Sequence, residues 1–107
     1  MPDLKNQKLG LLLSASPTHA NFERATRLAL EALNAGLLVY LYLIDNAVEG
    51  LAAPRIEELQ ARGCRVFACA YGVRRRNIER SGSATLAGLG QLTELITHTD
   101  RFVSFGE

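Results

Sequence analysis

The chain has 107 residues, 48% of them hydrophobic and 21% charged, which fits one globular domain spanning 1–107 and excludes an intrinsically disordered chain. Two cysteines exclude a disulfide scaffold, and the longest apolar run, residues 36–44, stops well short of the ~20 residues that span a bilayer. A net charge of +1, with 7% aromatic residues and no Trp, argues against nucleic acid as a partner, whether by bulk electrostatics or by base stacking.

At the N-terminus no basic segment precedes a long apolar stretch, so no signal peptide is expected. The expected compartment is the cytoplasm, where cysteines are normally free thiols. Leu9 to Leu13 is the first strand-like run, and it ends in the turn-forming cluster Ser14-Ala15-Ser16-Pro17. From Asn21 onward, Phe22, Ala25, Ala29, Ala32 and Leu33 follow helical spacing, and Gly36 stands where a glycine would stop that helix. Leu37 to Ile44 is a second strand. Like the first, it is apolar almost without alternation, as strands buried on both faces are. Pro54 can open a short helix through Ile56 and Leu59 that stops at Gly63. Arg65 to Ala70 reads as a third strand. Val73 to Arg80 reads as two helical turns, with Gly82 beyond their end. Ser83 is a candidate N-cap for a last helix carrying Leu86, Leu89, Leu92, Leu95 and Ile96, in which Gly88 and Gly90 suggest close backbone packing. Arg101 to Phe105 is the closing strand. The alternation predicts an α/β domain, three-layer α/β/α, with a mainly parallel sheet of four to five strands. In such a sheet the loops at the strand C-terminal ends form the usual site, here 14–21, 45–49 and 69–72.

Cys69 carries the most chemical information. It ends the third strand just before a short helix, where a thiol faces unpaired N–H groups and the positive end of the helix dipole. Arg74, Arg75 and Arg76 follow closely, and both influences favour the thiolate, which is the nucleophile and sulfur acceptor. The competing reading is a small buried hydrophobe capping the strand. Cys64 lies five residues earlier, about 16 Å away along an extended chain, beyond disulfide reach, and reads as structural. Six Arg between positions 62 and 80 face one acid, Glu79, for a local charge of +5 that suits a small anion or an acidic partner surface. Neighbouring helical residues are about 100° apart, so Arg74, Arg75 and Arg76 cannot all face one way. Ser14 and His19, in the first site loop, are further candidates for binding an anion or a partner. The alternatives for them are turn chemistry and a polar residue beside a helix N-terminus. Asp45 and Asn46 read as turn residues. No dinucleotide fingerprint, P-loop or metal-spaced cluster occurs, so neither metal nor cofactor is expected.

Four segments in series resemble one known family. They are the opening strand Lys8–Leu13 with the helix residues 25–32, the second-strand ending Ile44-Asp45-Asn46-Ala47-Val48, residues 59–70 running from helix through Gly63 to strand and Cys69, and the close 99–106. Together they are similar to the DsrE/DsrF-like family, which includes YchN-like and TusD-like sulfur-relay proteins. The chain departs from the family pattern in its short length and in Asn46-Ala47, where a glycine is usual. The resemblance implies a three-layer α/β/α fold, a trimer or hexamer, and a cysteine that receives persulfide sulfur and passes it on, which here is Cys69. The last strand would then lie beside the first. A flavodoxin-like order would instead set the Ser14 and Cys69 loops side by side.

Two functions follow as expectations. One is a persulfide sulfur carrier or transfer protein working through Cys69 with sulfur donor and acceptor proteins. The other is a non-catalytic assembly subunit or small-anion binding module in which Cys69 is merely packed. A homo-oligomer is expected in either case. The mostly apolar residues 47–53 are read as interface more readily than as a segment folded onto the domain's own sheet.

Overall fold

The apolar runs become the five strands of one wholly parallel sheet in the computed structural model, which describes residues 4–78 and 84–107. In chain order the elements are β1 (Lys8–Leu13), α1 (Ala20–Asn34), β2 (Leu38–Leu43), a 3₁₀ helix (Asp45–Gly50), α2 (Pro54–Ala61), β3 (Arg65–Cys69), α3 (Ala70–Arg75), β4 (Thr85–Ala87), α4 (Leu89–His98) and β5 (Arg101–Phe105). The sheet order is β4-β3-β2-β1-β5. The last strand therefore lies beside the first, and β2 separates the Ser14 loop from the Cys69 loop. Steps from β1 to β4 move the chain one way across the sheet, and right-handed crossovers stack α1 and α2 on one face. The return from β4 to β5 runs the other way, so the same rule carries α4 across the opposite face. The result is three layers.

Register decides which side chains meet which layer. Leu41 pairs with Leu11 and Val66, and Leu43 with Leu13 and Ala68. With Leu9 and Val39 these residues form a fully covered face, each at most 6% exposed. Burying an aliphatic side chain of this kind stabilises the fold by about 1.5–3 kcal/mol. Phe22, Ala25, Ala29 and Ala32 of α1 are buried, and the alanines let that helix approach closely. Thr26 is fully buried among them, its hydroxyl donating to the Phe22 carbonyl at 2.9 Å. Gly36 and Gly63 adopt φ of +91° and +100° just beyond α1 and α2, as helix-stopping glycines do.

The opposite face is thinner. Leu95 is the only buried residue of α4, while Leu89 and Ile96 are 64% and 50% exposed.

Several expectations change. Residues 85–87 are a strand paired with β3, Phe67 to Thr85 through Cys69 to Ala87, so Leu86 belongs to the sheet and not to the last helix. Gly88, extended at φ −92° and ψ −172°, separates that strand from α4. Pairing with an open sheet edge has overridden the local leucine period. Ser83, Glu79, Arg80 and Gly82 lie outside the described residues. Apart from chain neighbours and the helix's own backbone, no described atom comes within 4 Å of a β-carbon built on Gly88 or Gly90, so neither glycine serves close packing against another described element. Ala47, Val48 and Leu51 are at most 3% exposed, because the 3₁₀ turn folds them into the domain's own core. That segment offers no apolar interface beyond the exposed Ala52.

Candidate functional site

Cys69 ends β3 and is the N-cap of α3, which begins one residue later and three residues earlier than the sequence pattern suggests. Its thiol makes no capping hydrogen bond to the helix. Cys69 stands on the α4 side of the sheet, where alternation also puts Phe67 and Tyr42. Cys69 is 8% exposed and lines a cavity of about 330 Å³ at the C-terminal edge of the sheet. Ile44, Asp45, Tyr71, Gly72, Arg75, Arg76 and Leu89 complete the lining. Loops from β2, α3 and the start of α4 thus converge on one sulfur, in the position expected for an open parallel sheet.

Gly72 stands beside two of the lining side chains. A β-carbon there would stand 3.5 Å from Val48 Cγ1, 3.6 Å from Arg76 Nη1 and 3.7 Å from Cys69 Cβ, so its missing side chain leaves room beside the Cys69 and Arg76 side chains. Of the arginine run, Arg75 and Arg76 line the cavity and Arg74 does not. The angular separation of neighbouring helical residues accounts for the split. Arg75 donates to the Tyr71 hydroxyl at 3.1 Å, and Arg76 donates to Asn46 Oδ1 at 3.2 Å. Arg76 Nε also faces Glu49 Oε2 at 3.8 Å. Among the described residues no carboxylate pairs with Arg74 or Arg75.

Two residues at this site are not among the sequence candidates, Tyr42 because it lies within a strand and Asp45 because it reads as a turn residue. Tyr42 is fully buried under the β4–α4 corner, its hydroxyl 3.1 Å from the carbonyl oxygens of both Ala87 and Gly88. Its phenol is pushed up to about 12, by burial first and then by the negative charge and hydrogen bonding of the Cys69 sulfur. The available signal was a hydroxyl inside a continuous apolar strand, which must find a partner when buried. Asp45 is the second. It lines the cavity with φ +51°, a left-handed conformation that aspartate tolerates and most residues do not.

Ser14 and His19 lie at the end of β1, apart from the cavity lining. Ser14 Oγ donates to the Phe105 carbonyl at 3.4 Å. His19 caps α1, its Nδ1 accepting from the Asn21 N–H at 3.0 Å. The two regions are joined by polar contacts. Glu107 Oε2 accepts from the Ser16 N–H at 2.8 Å and from Asn46 Nδ2 at 3.0 Å. These bonds hold the Glu107 carboxyl below the usual carboxylate range, Asn46 contributing most. Asn46 in turn reaches Arg76.

Cys64 presents a contrast. It is buried, its Sγ 3.9 Å from the Arg65 carbonyl oxygen, and burial pushes its thiol up to about 12. Both cysteines are free thiols. Among the described residues no three His, Cys, Asp or Glu side chains are grouped to hold a metal, and no helix is long and apolar enough to cross a membrane.

The DsrE/DsrF-like family model matches residues 7–105. Among solved structures, the YchN protein from E. coli superposes with a TM-score of 0.78 at 16% identity, over 94% of this chain and 99% of that one. A conserved protein of unknown function from Bacteroides thetaiotaomicron, BT1422, superposes with a TM-score of 0.74 at 20% identity, over 92% and 94% of the two chains. At these identities the likeness is one of fold. No curated protein matches the chain.

Proposed function

This chain belongs to the DsrE/DsrF-like family, and from that premise we propose that it is a persulfide sulfur carrier with Cys69 as the sulfur-bearing residue. The observation that supports this most is the convergence of Cys69, Arg75, Arg76 and the open space beside Gly72 on one cavity. In the reaction, the Cys69 thiolate attacks the outer sulfur of a donor persulfide. The donor S–S bond breaks, its electron pair leaves with the donor thiolate, and Cys69 becomes the persulfide. Attack by an acceptor thiolate on that outer sulfur returns Cys69 to its thiolate. No external oxidant or reductant is consumed, and access and thiolate character govern both steps. Arg75 and Arg76 line the same cavity and supply positive charge toward the thiolate that attacks and the thiolate that leaves. The two free thiols suit a reducing, cytoplasmic setting.

Burial favours the second reading, an assembly or anion-binding subunit, because Cys69 is only 8% exposed. We further infer self-assembly through the α4 face, where Leu89 and Ile96 stand exposed and seven residues apart on one side of the helix. The experiment that separates the two functions is whole-protein mass after exposure to a low-molecular-mass persulfide. The carrier gains the mass of one sulfur atom and Cys69→Ser gains none. A wild-type protein that gains nothing is the assembly or binding subunit.

A further inference from the structure

The Arg76 guanidinium has two ends with different partners. Nη1 borders the open space beside Gly72, across from the Cys69 side chain. Nη2 donates to Asn46 Oδ1 at 3.2 Å. The Asn46 amide cannot turn freely, because its Nδ2 donates to the Glu107 carboxylate at 3.0 Å, and that carboxylate is fixed by the Ser16 N–H at 2.8 Å. One amide thus has its oxygen turned toward Arg76 and its nitrogen toward Glu107, an orientation set by chemistry at both ends. The kind of anchor matters. A carboxylate in this place would hold the guanidinium but cancel its charge. An amide oxygen holds it and leaves the charge to the cavity. Glu49 is 51% exposed and its Oε2 is 3.8 Å from Nε, a distance and exposure at which pairing is weak, and Asp45, the carboxylate in the cavity lining, makes no ion pair with Arg76 among the described residues.

We propose that Asn46 is a positioning residue that fixes Arg76 at the Cys69 cavity with its charge available, so that the cavity selects anionic sulfur donors over neutral ones. Glu107 is the anchor that sets the amide orientation. The proposal rests on the reading of Cys69 as the reacting residue, and it adds the device that sets its substrate class.

Two alkylating probes of similar size and opposite character test it: iodoacetate, an anion, and iodoacetamide, which is neutral. The readout is the ratio of their rates at Cys69, measured by peptide mass in the intact folded chain, with slow Cys64 labelling as the control for folding. In the wild type the ratio favours iodoacetate relative to a free cysteine peptide, and added salt erodes that preference. Asn46→Ala and Arg76→Gln each lower it about two- to fivefold, the size of one partly screened charge interaction. The double variant falls no further than Arg76→Gln alone, because Asn46 acts through Arg76. A wild-type ratio in Asn46→Ala, or additive losses in the double variant, overturns the role of Asn46 and leaves the Cys69 reading standing. A Cys69 that reacts with neither probe while the fold persists overturns both.

Discussion

Cys64 and Cys69 bracket the same strand, yet they meet different surroundings. Cys64 sits among buried groups with no charged partner to favour its anion, while Cys69 opens to a cavity lined by two arginines. At neutral pH Cys69 should therefore be alkylated faster than Cys64 by iodoacetamide in the native protein. Equal slow labelling of both, with a jump only on denaturation, would mark Cys69 as a packing residue. The raised Cys64 and Tyr42 groups also make a statement about stability. Below about pH 9 the Cys64 thiol is protonated in folded and unfolded chains alike. Between that value and about 12 the unfolded chain loses a proton that the folded chain keeps, so stability falls as pH rises. Tyr42 adds the same trend between 10.0 and about 12. Each group contributes up to about 1.4 kcal/mol per pH unit. Urea melts across the alkaline range should show this decline, and Cys64→Ala should flatten it. An unchanged slope in that variant would contradict the assignment.

Among the elements, α3 carries the most functional information in six residues. Gly72→Ala would meet its neighbours at 3.5 to 3.7 Å, ordinary contact distances, and alanine favours a helix over glycine by about 1 kcal/mol. The variant should melt at or above the wild-type temperature yet react more slowly at Cys69, because the methyl group fills the space facing Arg76. Loss of stability, or undiminished reactivity, would show that this space is not the route to the sulfur. The sequence made the strands β1, β2, β3 and β5 legible because their apolar runs are bounded by turn residues. It placed Cys69 at a strand end beside an arginine run for the same reason. β4 was not legible. Its three residues carry a leucine that also fits the period of α4, and only pairing with β3 distinguishes the two. The contacts of Tyr42 and Asn46 were hidden too, since each depends on a partner more than thirty residues away or on a neighbouring loop at least thirty residues distant.

For the whole molecule, the strand order decides which candidate residues share a site. With β2 between β1 and β3, Ser14 and His19 stand apart from the cavity lining, and the Glu107–Asn46–Arg76 chain spans the gap. The 3₁₀ turn could be read as a surface loop from its sequence, but its apolar residues complete the core. If the proposed self-assembly runs through the α4 face, light scattering at micromolar concentration should give a trimer or a multiple of it. A mass near the 11.7 kDa of one chain would refute that. The central claim, that Cys69 carries a transferable sulfur, is tested most directly by peptide mass mapping of the protein loaded with a low-molecular-mass persulfide and then chased with an acceptor thiol. The account predicts one added sulfur on the peptide holding Cys69, retained in Cys64→Ser, absent in Cys69→Ser, and lost to the acceptor during the chase. Sulfur found only at Cys64, or none at either cysteine, would contradict it.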